Sequence, residues 1–82
     1  MIPFNFHHLY YFFIIAREGS VSKAAKELRL GQPALSTQLK QFENYLNAKL
    51  FEREGKRLVL TEEGKHALER VRVLDVVRKQ DG

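Results

Sequence analysis

Leu35, Leu39, Phe42 and Leu46 recur at i, i+4, i+7 and i+11, which places one narrow apolar line on a helix. At roughly 100° per residue, Pro33, Thr37, Lys40, Gln41 and Asn44 fall on the opposite side, with Ser36 beside them. That outer face is rich in hydrogen-bonding groups and turns cationic at Lys40. Such a surface suits a polar partner, with DNA as the working expectation. Gln32 opens this helix and Pro33 sits in its first turn, where a missing N–H costs nothing. Asn47-Ala48-Lys49 closes it.

The segments before it are also helical in period. From Phe6 to Glu18, behind a possible Asn5 cap, Leu9, Phe12, Phe13 and Ala16 form a stripe. Tyr10, Tyr11, Ile14 and Ile15 extend that stripe almost all the way round. A helix apolar on every side is normally buried on every side, so a second packing partner is expected for it. Gly19 ends this helix, and Ser20 caps the next one. Val21, Ala24, Ala25 and Leu28 mark the inner face of that second helix, and the two alanines permit close approach. Arg29-Leu30-Gly31 then forms a short turn in which Gly31 is free to take a positive φ. A short helix, a glycine-containing turn and a longer helix with a polar outer face make a helix-turn-helix pattern.

Beyond residue 49 the period changes. Leu50–Arg53 and Arg57–Leu60 are short apolar-containing segments around Glu54-Gly55-Lys56, a hairpin with Gly55 at its tip. Thr61 caps a final helix with Glu62 and Glu63 in its first turn, where the helix dipole favours acids. Gly64 weakens that helix by up to about 1 kcal/mol relative to alanine, which points to a neighbour that must come close. Ala67, Leu68, Val71, Leu74 and Val77 form one apolar side of it, and Val73 and Val76 lie on another.

Composition narrows the picture further. Eighty-two residues make one small domain with a single modest core. The absence of cysteine leaves no disulfide framework or thiolate metal site. No apolar run approaches the roughly 20 residues of a membrane helix, and the run from Leu9 to Ala16 lacks signal-peptide flanks. The net charge of +4 favours a polyanion, and its placement says more. Residues 1–31 carry four Lys/Arg against two acids, residues 32–60 five against three, and residues 61–82 five against five. The cationic excess therefore belongs to the first 60 residues.

Leu9-Tyr10-Tyr11-Phe12, Gly19-Ser20-Val21-Ser22-Lys23-Ala24-Ala25, Gln32-Pro33-Ala34-Leu35-Ser36, Leu50-Phe51-Glu52-Arg53 and Leu60-Thr61-Glu62-Glu63-Gly64 stand in this order along the chain. Together they resemble the DNA-binding domain of the LysR-type transcriptional regulators, over about residues 6 to 78. His8–Phe12 and Lys49-Leu50-Phe51 are similar to the branch that regulates a sodium/proton antiporter. The resemblance implies a mainly α fold: a winged helix-turn-helix with a three-helix core and a short β-hairpin wing, followed by a long linker helix. Residues 1–60 would be the DNA-binding domain, and residues 61–82 the linker that pairs with its twin through Ala67, Leu68, Val71, Leu74 and Val77. It also implies a ligand-sensing effector domain with a periplasmic-binding-protein-like fold. That domain is missing from this chain, which is then expected to be a fragment, with a truncated stand-alone protein as the less favoured alternative. A small-molecule effector would act only through it.

In helix-turn-helix proteins the second helix enters the major groove and offers its first side chains to base edges. Here helix 32–47 would present Gln32, Pro33, Ser36, Thr37 and Lys40 for base readout. The family pattern usually has Arg where Thr37 stands, so guanine recognition is not expected there. Gly31 replaces a capping Ser or Thr common in the family. Backbone contacts are expected from Ser20, Ser22, Lys23 and Gln38, and from the wing through Arg53, Lys56 and Arg57. A dimer would read a pseudo-palindromic duplex site in a bacterial-type cytoplasm.

Other functions fare less well. His7 and His8 are adjacent, so they do not share a helix face as i, i+4 ligands would, and His66 is distant. Glu62 and Glu63 suit a first helical turn better than a general acid/base pair. No phosphate-cradling loop or nucleophile constellation is present, and neither an enzyme nor a cofactor is expected. The alternative is a winged-helix protein-assembly module without DNA binding. Such a helix would expose large apolar anchors where this one has Gln, Ser, Thr, Lys and Asn.

Overall fold

The computed structural model describes residues 6–70. The expected Asn5 cap and the apolar positions Val71, Val73, Leu74, Val76 and Val77 lie outside them. Three helices, α1 (Phe6–Glu18), α2 (Val21–Leu28) and α3 (Gln32–Leu46), precede a two-stranded hairpin of β1 (Phe51–Glu54) and β2 (Arg57–Leu60). Residues 62–70 are helical again and are called α4 here. The strands are antiparallel, with Phe51 opposite Leu60 and Glu54 opposite Arg57. That register leaves a two-residue turn, Gly55-Lys56, with Gly55 at φ +63°.

The helix boundaries follow the caps read from the sequence. Ser20 has extended backbone, and its Oγ accepts from the Lys23 N–H at 3.1 Å. Thr61 does the same for α4, accepting from the Gly64 N–H at 3.0 Å. Pro33 lies at the start of α3 behind Gly31, which supplies no side-chain cap.

One turn is built differently from expectation. Gly31 is extended at φ −67°, and the left-handed residue of the helix-turn-helix is Arg29 at φ 58°. The cause is the end of α2. The Arg29 N–H reaches the Lys26 carbonyl at 3.2 Å and the Leu30 N–H reaches Ala25 at 2.9 Å, a closure that forces the residue after the helix into the left-handed region. A non-glycine residue there costs about 1–2 kcal/mol. Asn47 closes α3 likewise at φ 55°, and asparagine tolerates it better.

Phe12, Phe42, Ile14, Ile15, Leu35 and Leu50 are the largest fully buried side chains among the described residues. Phe12 stands between two other rings, 5.9 Å from Phe42 and 5.4 Å from Phe51, centroid to centroid and tilted. These separations are favourable for aromatic pairs and tie α1, α3 and the hairpin together. Helix α1 packs on α2, α3 and β2, and α2 packs on α3. Being surrounded, α1 buries Leu9, Phe12, Ile14 and Ile15, while Phe13 and Ala16, placed in its inner stripe by the sequence, are half-buried. Tyr10, at 52% exposed, is the part of α1 left for the expected second partner to cover.

Ala24 and Ala25 are buried, as close helix approach requires. Gly64 meets the expectation placed on it: a Cβ there would stand 2.2 Å from the Leu50 carbonyl oxygen. The end of the α3 stripe departs from it. Leu46 is 38% exposed and, with Leu9, Phe42, Ala48, Leu50 and Ala67, lines an apolar groove of ≈ 400 Å³ beside α4. Ala67 and Leu68 are themselves partly buried against the domain's own core.

Candidate nucleic-acid interface

Helix α3 is held from one side only. Leu35 and Phe42 anchor it in the core, Leu39 is half-buried, and Gln32, Pro33 and Ala34 at its start are exposed. Gln32, Pro33, Ser36, Thr37 and Lys40 are all exposed, as are Gln41 and Asn44. Gln38 is half-buried, at the flank of the face. The five expected readout residues therefore share one surface, and none carries a large apolar side chain. The exposed large hydrophobics among the described residues are Tyr10, Tyr45 and Leu46, and the two on α3 lie at its far end.

Thr37 is constrained within that surface, because its hydroxyl donates to the Pro33 carbonyl at 3.0 Å. At the start of α2, Ser22 and Lys23 are exposed and Ser20 is half-buried. Ser20 Oγ already accepts from the Lys23 N–H, and its own hydrogen remains to be donated.

The wing places its three cations unequally. Alternation along the paired strands puts Arg53 on the face that carries Phe51, Leu58 and Leu60. Arg57 takes the opposite face, with Glu52, Glu54 and Val59. Its guanidinium lies back along the α1–α2 turn, with Nε and Nη2 each 3.8 Å from where a Cβ on Gly19 would stand. The Leu58 N–H donates to the Gly19 carbonyl at 3.1 Å, which fixes that approach. Arg57 thus joins the α2 N-terminal group, while Lys56 occupies the exposed hairpin turn. The sequence assigns all three to the wing together; the register divides them.

Polar contacts made by three side chains, Glu43, Thr61 and Arg17, brace the domain and were not read from the sequence. Half-buried Glu43 on α3 accepts the Leu50 N–H at 2.8 Å, which fixes the chain where it leaves the helix for the wing. Thr61 Oγ1 donates to the Lys49 carbonyl, and the Thr61 N–H to Leu50 at 3.0 Å. Arg17 joins Glu27 across the ends of α1 and α2 and also meets Glu18 at 3.3 Å. Its hydrogen bond to Glu27 holds that carboxyl below the ordinary glutamate range. No group of three or more potential metal ligands occurs among the described residues.

Residues 6–65 match the family described as bacterial regulatory helix-turn-helix protein, lysR family. The chain belongs to this family. Its similarity to solved structures runs through the fold as well as the sequence. It is 32% identical to the protein in a BenM DNA-binding domain/benA site 1 DNA complex, with a TM-score of 0.84 over 94% of this chain and 91% of that one. It is 32% identical to the chain in a CbnR DNA-binding domain–DNA complex, with a TM-score of 0.82 over 95% and 91%. The three-helix core with its hairpin wing is the winged-helix architecture of LysR-family DNA-binding domains. Among curated relatives, the RuBisCO operon transcriptional regulator of Allochromatium vinosum is 51% identical over 51 residues, 62% of this chain and 17% of that protein. The probable RuBisCO transcriptional regulator of Porphyra purpurea is 46% identical over 63 residues, 77% of this chain and 20% of that one. This chain spans about a fifth of the length of such relatives. The antiporter-regulator branch remains an expectation from sequence.

Proposed function

We propose that this LysR-family domain binds duplex DNA sequence-specifically, with helix 32–47 in the major groove and wing 53–57 on the adjacent minor groove or backbone. One observation carries the reading. Gln32, Pro33, Ser36, Thr37 and Lys40 form a continuous exposed face with hydrogen-bonding capacity and no apolar anchor. Gln bonds adenine in a bidentate way, Pro and the Thr methyl suit a thymine methyl, and Lys suits guanine or a phosphate. Ser22, Lys23, Gln38 and Arg57 suit phosphate contacts, which position without specifying. The complexes named for the BenM and CbnR domains support the same use of this fold.

The role is one of binding rather than catalysis, in transcriptional regulation in a bacterial-type cytoplasm. The working form is a homodimer joined through residues 62–80, reading a pseudo-palindromic site, with any small-molecule effector acting through a C-terminal domain. Ala67 and Leu68 already pack on their own core, so the pairing surface rests chiefly on Val71, Leu74 and Val77. DNA binding measured across salt tests the reading. A linear fall of log K with log salt, steep in proportion to the phosphates contacted, is the expected result. No binding at low salt would favour the protein-assembly alternative.

A further inference from the structure

Two hydroxyls stand side by side near the start of α3, and they are not equivalent. Thr37 Oγ1 donates to the Pro33 carbonyl at 3.0 Å, whereas the Ser36 hydroxyl makes no bond among the described residues. The difference has a local cause. Branching at Cβ limits threonine to a few rotamers in a helix, and one of them brings Oγ1 to the carbonyl four residues back.

A hydroxyl has one hydrogen and two lone pairs. With its hydrogen held by Pro33, Thr37 meets the groove as an acceptor beside a methyl group, and not as a donor. In the major groove guanine offers only acceptors, N7 and O6; cytosine offers an amino donor but no methyl. An A·T pair alone offers both complements, the adenine N6 amino donor and the thymine methyl. To donate to guanine, Thr37 would have to give up its bond to Pro33. Ser36 is bound by no such restriction and can donate or accept.

We propose that Thr37 is a specificity determinant selecting an A·T pair over G·C at the base pair beneath it. The proposal rests on the DNA-binding reading above and adds to it the chemistry of one position. Lys40 lies three residues on along the same exposed face. Its ammonium supplies donors for guanine at a neighbouring pair, so the two positions divide the bases between them.

Selection from random duplex DNA with the 82-residue chain tests this, using the wild type, Thr37→Arg and Thr37→Val. The pair at which Thr37→Arg gains guanine marks the position under residue 37. At that pair the wild type is expected to favour A·T over G·C by roughly three- to tenfold. Thr37→Val keeps a methyl and loses the acceptor, so it is expected to narrow the preference to thymine on the facing strand. A wild-type preference for guanine at that pair overturns the proposal. So does a consensus that both variants leave unchanged at every position, with DNA binding intact. No enriched sequence with the wild type would instead sink the DNA-recognition reading, and this proposal with it.

Discussion

Gly64→Ala should destabilise the domain, although alanine is the better helix former. The added Cβ would stand 2.2 Å from the Leu50 carbonyl oxygen, 3.1 Å from its carbon and 2.9 Å from Leu60 Cδ2. Leu60 can rotate away; the Leu50 backbone cannot. Its N–H is held by Glu43 at 2.8 Å and its carbonyl by the Thr61 N–H at 3.0 Å. Restoring an ordinary C···O contact of ~3.3 Å requires a movement of ~1 Å. Overpacking of this kind costs about 1–3 kcal/mol. Loss of the Thr61–Leu50 bond adds about 0.5–1.5 kcal/mol. The helix-propensity gain returns up to about 1 kcal/mol. The balance is a loss of about 2 kcal/mol, or about 8–16 °C in Tm for a domain of this size. Urea unfolding followed by circular dichroism reads it directly. A Gly64→Ala chain as stable as the wild type, or more so, would refute the close approach of α4 to Leu50.

Three further expectations use other parts of the molecule. Glu43→Ala leaves the buried Leu50 N–H without its acceptor and should cost about 1–3 kcal/mol in the same assay, with Glu43→Gln recovering part of the loss. Lys56→Ala should weaken binding to all DNA sequences alike and reduce the salt slope by about one unit; an unchanged slope would remove Lys56 from the interface. Glu27 should titrate below the ordinary glutamate range in carboxyl-resolved NMR, and Arg17→Ala should return it. Because its folded-state pKa is depressed, what this exposed pair contributes to stability is present above the unfolded value and is lost as pH falls through the folded one.

Much of the fold could be read from local chemistry. Ser20, Pro33, Asn47, Gly55 and Thr61 each act where their backbone preferences place them, because caps and turns involve residues only a few positions apart. The phase of α1 was less legible. A helix apolar on all sides has no single moment direction, and only its neighbours determine that Ile14 goes in while Phe13 stays half out. Gly31 drew the left-handed assignment on intrinsic freedom, whereas the closure of α2 imposed it on Arg29. Within the candidate interface, the exposed set on α3 followed from helical period. The separation of Arg53 from Arg57 needed the strand register, and the bound state of the Thr37 hydroxyl needed a rotamer. Glu43 gave no signal, since a carboxylate serving a backbone N–H seven residues away looks in sequence like any surface acid.

Leu50 ties α3 to α4. Its N–H is held by α3, its carbonyl by the residue that caps α4, its side chain is fully buried, and its peptide lies against Gly64 with no room between. A joint with four such restraints has no slack. Helix α3 and the first turn of α4 are thereby joined through one residue, and Leu50 alone cannot take up a displacement of α4 at this joint. On the DNA-binding reading proposed above, the stiffness of that residue would set how faithfully a change in α4 becomes a change in grip on DNA.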